Sequence, residues 1–117
     1  MGVRAYLKPV MEGTEVVAAY KRLLSFSAEM LTHAREDDWT KLIDSEVAYV
    51  REVERLQQHE LDAMLTEHQQ QQKLQLLATL LQQDQEIRER LTQRRSELEK
   101  MLSAASKKRK VDNAYLS

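Results

Sequence analysis

Few residues of this chain are of the types that perform acid–base, nucleophilic or metal chemistry. It has three histidines, His33, His59 and His68, and no cysteine. A Ser or Cys nucleophile needs a His held beside it, and none of the three lies in a recognisable motif of that kind. His59 and His68 are nine residues apart, which puts them on opposite sides of a helix, so they are not expected to share a metal ion with Glu60.

The chain also lacks a loop that could hold a phosphate group. Such loops need clustered glycines, because their backbone amides must approach the anion closely. The sequence has 2 Gly and 1 Pro, and none of them follows Gly13. We therefore expect no enzymatic activity, no cofactor and no metal ion.

A run of four cations, Lys107, Lys108, Arg109 and Lys110, precedes Val111. The order Ser-Lys-Lys-Arg-Lys-Val resembles a monopartite nuclear import signal. The run would also suit a solvated helix end, where cations oppose the negative end of the helix dipole, or a contact for an acidic partner. Without these cations the formal net charge of −1 becomes −5, so no general nucleic-acid surface is expected.

The elements that must position these residues are helices. The chain is 42% hydrophobic and 32% charged, and it contains neither Gly nor Pro from Thr14 to Ser117. Sandwich and α/β folds need Gly and Pro at many turns. We predict an all-α fold in one domain, with no β-structure and no segment apolar enough to cross a bilayer.

Apolar residues recur three and four positions apart in three stretches, which predicts helices at about 14–36, 39–64 and 67–105. Thr14 is expected to cap the first helix, and Asp37 or Asp38 the second. Thr66 to Gln69 has the pattern of a capping box for the third. The predicted architecture is an elongated antiparallel three-helix bundle over residues 14–106, after a loose lead-in over residues 1–13. A basic segment or short fourth helix follows over residues 107–117.

Charged residues interrupt two of the apolar stripes. Glu46 in the second helix would lie in water at the stripe's edge, or pair across the bundle with Arg22 or His33. In the third helix, three positions of a coiled-coil seam would set the register, face a polar part of a partner, or face water. They are Asp84, Arg88 and Arg95.

The third helix also carries more apolar seam than its neighbours can bury. Ile87 lies one position off this seam. We expect it to take the place of the charged positions in the seam, because the apolar face of a straight helix drifts relative to a seven-residue repeat. Two shorter helices cannot cover the rest of the seam, so part of it should be an interface.

Several stretches recur in an order that points to one family. They are Leu23 to Ser27, Trp39 to Leu42, Glu46 to Tyr49, Leu91 to Arg94, and Asp112 to Tyr115 behind the basic run. In this order and spacing they resemble the FliT family, bacterial flagellar type III export chaperones of the filament-cap protein. The resemblance covers about residues 16–115. Its most specific parts are the Trp–Leu–Glu–Tyr order on the second helix and the terminal Asn-Ala-Tyr.

The resemblance implies a cytoplasmic helical chaperone that binds the C-terminal segment of the filament-cap protein, keeps it unassembled and delivers it to the type III export apparatus. It implies contacts with the export ATPase complex and the export gate. In some members it also implies contact with the flagellar master transcriptional activator. It implies no direct nucleic-acid binding and no membrane insertion. In the family the C-terminal helix can fold back over the substrate groove. Only two residues follow Tyr115 here, so we expect the tail to contact the export machinery instead.

We expect the client to bind as an amphipathic helix in a groove between the second and third helices. The predicted groove residues are Val50, Val53, Leu74, Leu77, Leu81 and Leu91. The predicted contacts with the export machinery, or with the groove as a lid, are Lys107, Lys108, Arg109, Lys110, Asn113 and Tyr115.

One alternative to an export chaperone is a structural or regulatory coiled-coil module, which the basic run would place in the nucleus. Direct DNA binding is less favoured, because the chain is acidic outside that run and lacks a short turn–helix unit. The sequence leaves the oligomeric state open, with a homodimer as one option.

Overall fold

A computed structural model describes residues 12–60 and 63–116. Its helices are α1 (Gly13–Arg35), α2 (Trp39–His59) and α3 (Glu67–Leu116). These two ranges contain no strand, which confirms the all-α class. None of the described helices is long and apolar enough to cross a membrane. The predicted lead-in lies almost wholly outside the described residues.

Helix α1 begins at Gly13, where it meets the start of α3. Glu12 is the N-cap residue, and its side chain makes no capping hydrogen bond, so the expectation that Thr14 caps this helix is wrong. A Cβ atom at position 13 would lie 2.9 Å from the carbonyl oxygen of Met64 and closer still to the side chain of Gln69. Only glycine leaves room for this approach, which brings the beginnings of α1 and α3 together.

A tight reversal closed by backbone hydrogen bonds joins α1 to α2. Asp37 has a left-handed φ of 57°. Its N–H donates to the carbonyl of Ala34 at 3.2 Å, and the N–H of Asp38 donates to the carbonyl of His33 at 2.8 Å. This pair of bonds is the Schellman pattern. Asp38 then caps α2, as predicted for Asp37 or Asp38, because its Oδ1 accepts from the N–H of Lys41 at 3.2 Å.

The predicted capping box at the start of α3 is confirmed. The N–H of Thr66 donates to Oε1 of Gln69 at 2.9 Å, and the N–H of Gln69 donates to Oγ1 of Thr66 at 3.1 Å. Helix α2 ends at His59, before its predicted end near residue 64. The chain leaves α2 at Glu60, whose side chain is held by residues of α1 and α3.

Helix α1 lies between α2 and α3 and packs against both, whereas α2 and α3 approach each other much less. Tyr20, in the first half of α1, bonds to Glu60 beyond the end of α2, so α1 and α2 are antiparallel. The start of α1 meets the start of α3 at Gly13 and the end of α1 bonds to Glu86, so α1 and α3 are parallel. Two apolar clusters along α1 form the core. One contains Val16, Ala19, Tyr20, Leu23, Leu56 and Leu80, and the other contains Met30, Leu31, Ala34, Leu42 and Ile87.

Helix α3 is 50 residues long and continues without a break to Leu116. The separate fourth helix expected near the C-terminus is therefore not formed. The reason is local: no Gly or Pro follows Gly13, so nothing between Ala105 and Leu116 interrupts the helix. All side chains from position 95 to 116 are exposed, and the described chain measures 83 × 31 × 18 Å.

Candidate functional site

A groove of about 430 Å³ runs along the face of the bundle where α2 and α3 are apart. Helix α1 forms its floor, and α2 and α3 form its walls. Most of its lining is aliphatic or aromatic, which suits the apolar face of a further helix. The lining residues are Tyr20, Leu23, Tyr49, Val53, Leu56, Gln57, Glu60, Leu77, Leu80, Leu81, Asp84 and Arg88.

The groove contains part of the predicted set. Val53, Leu77 and Leu81 line it, on opposite walls. The side chain of Leu81 is 62% exposed, although it lies among apolar neighbours. It therefore offers apolar surface that folding of the single chain does not bury.

The other three predicted groove residues lie elsewhere. Val50 is on the outer face of α2, 41% exposed, beside Ile43 and Val47. Leu74 and Leu91 are exposed on α3 and do not line the groove. The apolar stripe of α2 is wider than one helix face, and its period alone does not tell which edge packs on α1.

A polar cluster closes one end of the groove. The hydroxyl of Tyr20 donates to Oε1 and Oε2 of Glu60 at 2.9 and 3.1 Å. Lys73 forms an ion pair with the same carboxylate, and its Nζ lies 5.6 Å from the centroid of the Tyr20 ring. Burial, the hydrogen bond to Glu60 and the charge of Glu60 together raise the pKa of Tyr20 well above its ordinary value. The phenol thus remains a donor, and the cluster ties all three helices together.

The lining also contains two of the charged seam residues. Nε of Arg88 and Oδ2 of Asp84 are 2.8 Å apart, and both residues line the groove. Tyr49 on the opposite wall has a raised pKa, first because of burial and second because of the negative charge of Asp84. Arg95 lies farther along α3, where it pairs with Glu99 in an exposed position.

The two tyrosines of the groove are not among the residues predicted from the sequence. Tyr20 falls within the apolar stripe of the first helix, and Tyr49 lies at the flank of the second. A tyrosine in such a position is itself a signal, because its ring packs with apolar groups while its hydroxyl needs a polar partner or water.

Ion-pair networks hold α1 against its neighbours outside the groove. Oε1 of Glu52 lies 2.8 Å from Nη2 of Arg22 and 3.0 Å from Nη2 of Arg55. Burial alone would raise the pKa of Glu52, but hydrogen bonds from Arg55 and Arg22 outweigh it and lower the pKa. Arg22 thus pairs with Glu52 and not with Glu46, which is exposed on the outer face of α2.

A second network joins the end of α1 to α3. Oε2 of Glu86 lies 2.7 Å from Nε of Arg35 and 2.9 Å from Nε of Arg90. Hydrogen bonds from Arg35 and Arg90 lower the pKa of Glu86 to about 2. The carboxylate is therefore charged at all but strongly acidic pH.

The predicted contacts of the tail all lie on the projecting part of α3. Lys107 to Lys110 are inside the helix, and its last turn contains no basic residue, so they do not form a charged helix end. Asn113 and Tyr115 are exposed, and Tyr115 is 87% accessible. These side chains are free to meet a partner, far from the groove along the helix.

The histidines lie apart, one on each helix. His33 is in α1, His59 ends α2, and His68 is in the first turn of α3. Within residues 12–60 and 63–116, no three His, Cys, Asp or Glu side chains are grouped so that they could hold a metal ion. That the protein functions without a metal ion or nucleotide remains a prediction.

Comparison with known proteins identifies the family. The family model for Flagellar protein FliT matches residues 17–117, which include the groove and nearly all of the three helices. The chain is 30% identical over 101 residues to Flagellar protein FliT of Photorhabdus laumondii, covering 86% of this chain and 81% of the relative. It is 32% identical over 99 residues to the protein of that name from Escherichia coli O139:H28, covering 83% and 80%. It is 25% identical over 100 residues to that of Yersinia pseudotuberculosis, covering 86% and 83%. The chain therefore belongs to the FliT family of flagellar proteins.

Proposed function

We propose that this protein is a cytoplasmic flagellar export chaperone that holds the C-terminal segment of the filament-cap protein in the groove between α2 and α3. Bound there, the segment is kept unassembled until it reaches the type III export apparatus. The observation that supports this most is the open groove, with Leu81 exposed among apolar neighbours. Membership of a flagellar family supports the choice of client, and the proposal involves no catalysis.

The groove has the form of a four-helix bundle from which one helix is missing. Helix α1 packs on both neighbours, while α2 and α3 are held apart above it. Leu56 and Leu80 are buried at the base of the groove, but Val53 and Leu81 remain accessible along its walls. An amphipathic helix laid on this face would complete the bundle and bury their apolar surface, at about 25 cal/mol per Å².

Replacement of Leu81 by Asp tests the groove. Burying a leucine contributes about 1.5–3 kcal/mol, so Leu81→Asp should weaken binding of the cap protein's C-terminal segment by roughly tenfold or more. Affinity is measured by calorimetric titration. Because Leu81 is already exposed, helicity and melting temperature should change little, which separates loss of binding from loss of fold.

A matched control lies on the same helix. Leu102 is 70% exposed, on the projecting part of α3, so Leu102→Asp should leave the affinity for the cap segment unchanged. Equal weakening by both substitutions, or none by Leu81→Asp, would place the client elsewhere.

We infer that the projecting part of α3 contacts other components of the export system. Its exposed cations, Lys107 to Lys110, and the side chains of Asn113 and Tyr115 are available to an acidic, partly apolar surface. The export ATPase complex and the export gate are the proposed partners, with the flagellar master activator as a further one. Tyr115→Ala should then leave client affinity unchanged while it weakens docking. A gain in client affinity would instead make the tail a lid over the groove.

The alternative of a structural coiled-coil module is supported by the same part of α3. Met101 and Leu102 lie three and four positions after Leu98, and all three are exposed. In that case Leu102→Asp, and not Leu81→Asp, would disrupt the essential contact.

A further inference from the structure

The hydroxyl of Tyr49 stands out among the polar groups of the groove. It makes no hydrogen bond within the described residues, whereas the hydroxyl of Tyr20 on the groove floor donates to Glu60 at 2.9 Å. The Tyr49 ring packs against both apolar clusters of the core, so its position on the groove wall is fixed. A fixed ring with an unused donor is suited to recognition of a ligand.

A client helix that covers the groove would remove the hydroxyl of Tyr49 from water. In the free protein the groove is open to solvent, and water can satisfy the phenol. A client helix laid over Val53 and Leu81 would remove that water, and a buried polar group without a partner is strongly disfavoured. The client must then supply the partner itself, because no described side chain does.

Neighbouring charges restrict what that partner can be. Asp84, on the opposite wall, is close enough for its negative charge to act on Tyr49, and burial adds to the effect, so the phenol keeps its proton and donates. Asp84 and Arg88 are paired with each other at 2.8 Å, so a client carboxylate or cation buried at this place would lack a free counter-charge.

We propose that Tyr49 is a specificity-determining residue, and that the segment bound in the groove is an amphipathic helix whose apolar face carries one neutral hydrogen-bond acceptor, Asn, Gln, Ser or Thr, that accepts from the Tyr49 hydroxyl. The inference rests on the proposed function of the groove and adds the chemistry of its client. A purely aliphatic helix of the same length would bind less tightly, since it would leave this donor unsatisfied.

Tyr49→Phe removes the donor and keeps the ring. It should weaken binding of the cap protein's C-terminal segment by roughly three- to tenfold, the usual effect of one neutral hydrogen bond. The melting temperature of the free protein should not change, because the hydroxyl bonds to none of the described residues and is open to water. Tyr20→Phe is the matched comparison: it should lower the melting temperature, because its hydroxyl ties α1 to the end of α2.

A double-mutant cycle identifies the acceptor. Each Asn, Gln, Ser and Thr of the cap segment is replaced in turn by Ala, and affinity is measured with the wild-type protein and with Tyr49→Phe. One client substitution should match the loss caused by Tyr49→Phe and cause no further loss in that background.

The outcomes separate this inference from the proposal on which it rests. If the segment binds and Leu81→Asp weakens it, but Tyr49→Phe changes nothing or no client position couples to it, the groove stands and the role of Tyr49 is refuted. A lower melting temperature for Tyr49→Phe, with unchanged client affinity, would show a structural role instead. If the cap segment does not bind the wild-type protein at all, both proposals fail.

Discussion

The backbone of Asp37 adopts a conformation that L-amino acids avoid. Its φ of 57° places it in the left-handed region, where the Cβ atom crowds the carbonyl oxygen and costs about 1–2 kcal/mol. Glycine is the usual residue at this position of a Schellman ending. The backbone hydrogen bonds from Asp37 and Asp38 to the end of α1 keep the chain in this strained conformation.

Asp37→Gly should therefore stabilise the fold, by about 0.5–1 kcal/mol once the greater freedom of glycine in the unfolded chain is subtracted. Urea unfolding followed by circular dichroism measures the change. Glu36→Gly is the control: Glu36 has φ −89°, so glycine brings no relief there and should destabilise. An unchanged urea midpoint for Asp37→Gly would show that the turn relieves its backbone strain without a glycine.

At the scale of the helices, the caps formed by neighbouring residues could be predicted from the sequence, whereas the contacts between helices could not. The capping box of Thr66 and Gln69 and the cap at Asp38 depend on neighbouring residues, so the sequence shows them directly. The α1 start at Gly13 depends on contact with Met64 and Gln69, more than 50 residues away, which no local pattern contains.

The same division holds for the groove. Periodicity indicated that Val53, Leu77 and Leu81 lie on apolar faces, and all three line the groove. It did not show that α1 would occupy the middle of the bundle, which turns Val50 outwards and opens a gap between α2 and α3. Ile87 was correctly predicted to enter the core, because the drift of a straight helix against a seven-residue repeat is a property of the helix alone.

The ion pairs of Glu86 with Arg35 and Arg90 make the contact between α1 and α3 sensitive to acid. The pKa of Glu86 is about 2 in the folded protein, lowered from 4.5, so this carboxylate stabilises the fold above pH 4.5. The contribution is lost as the pH falls from about 4.5 towards 2, because protonation then favours the unfolded chain.

Glu86→Gln should accordingly melt at a lower temperature than the wild type at pH 7. The melting temperatures of the variant and the wild type should converge as the pH is lowered to about 2. Thermal melts at several pH values follow the convergence. Glu46→Gln, at an exposed carboxylate of α2 that forms no ion pair within the described residues, is the control and should leave the melting temperature at pH 7 unchanged. A constant difference between Glu86→Gln and the wild type at every pH would mean that packing, not charge, explains the effect.

The molecule as a whole is a rod rather than a globule. Its described residues have a radius of gyration of 22.0 Å, whereas a compact chain of this length would have about 13 Å. The difference arises from the part of α3 that continues past the bundle. Small-angle X-ray scattering of the monomer should give a radius near 22 Å and a pair-distance distribution with a long tail. A radius near 15 Å would show that the end of α3 folds back in solution.

This projecting helix also determines how the protein diffuses. A rod experiences more drag than a sphere of equal mass, so a single chain of 13.7 kDa should leave a gel-filtration column early, at the volume of a larger globular protein. Elution volume alone would then suggest a dimer even for a monomeric chain. A chaperone with a client helix in its groove would gain mass with little gain in length, so binding should change the light-scattering mass much more than the elution volume.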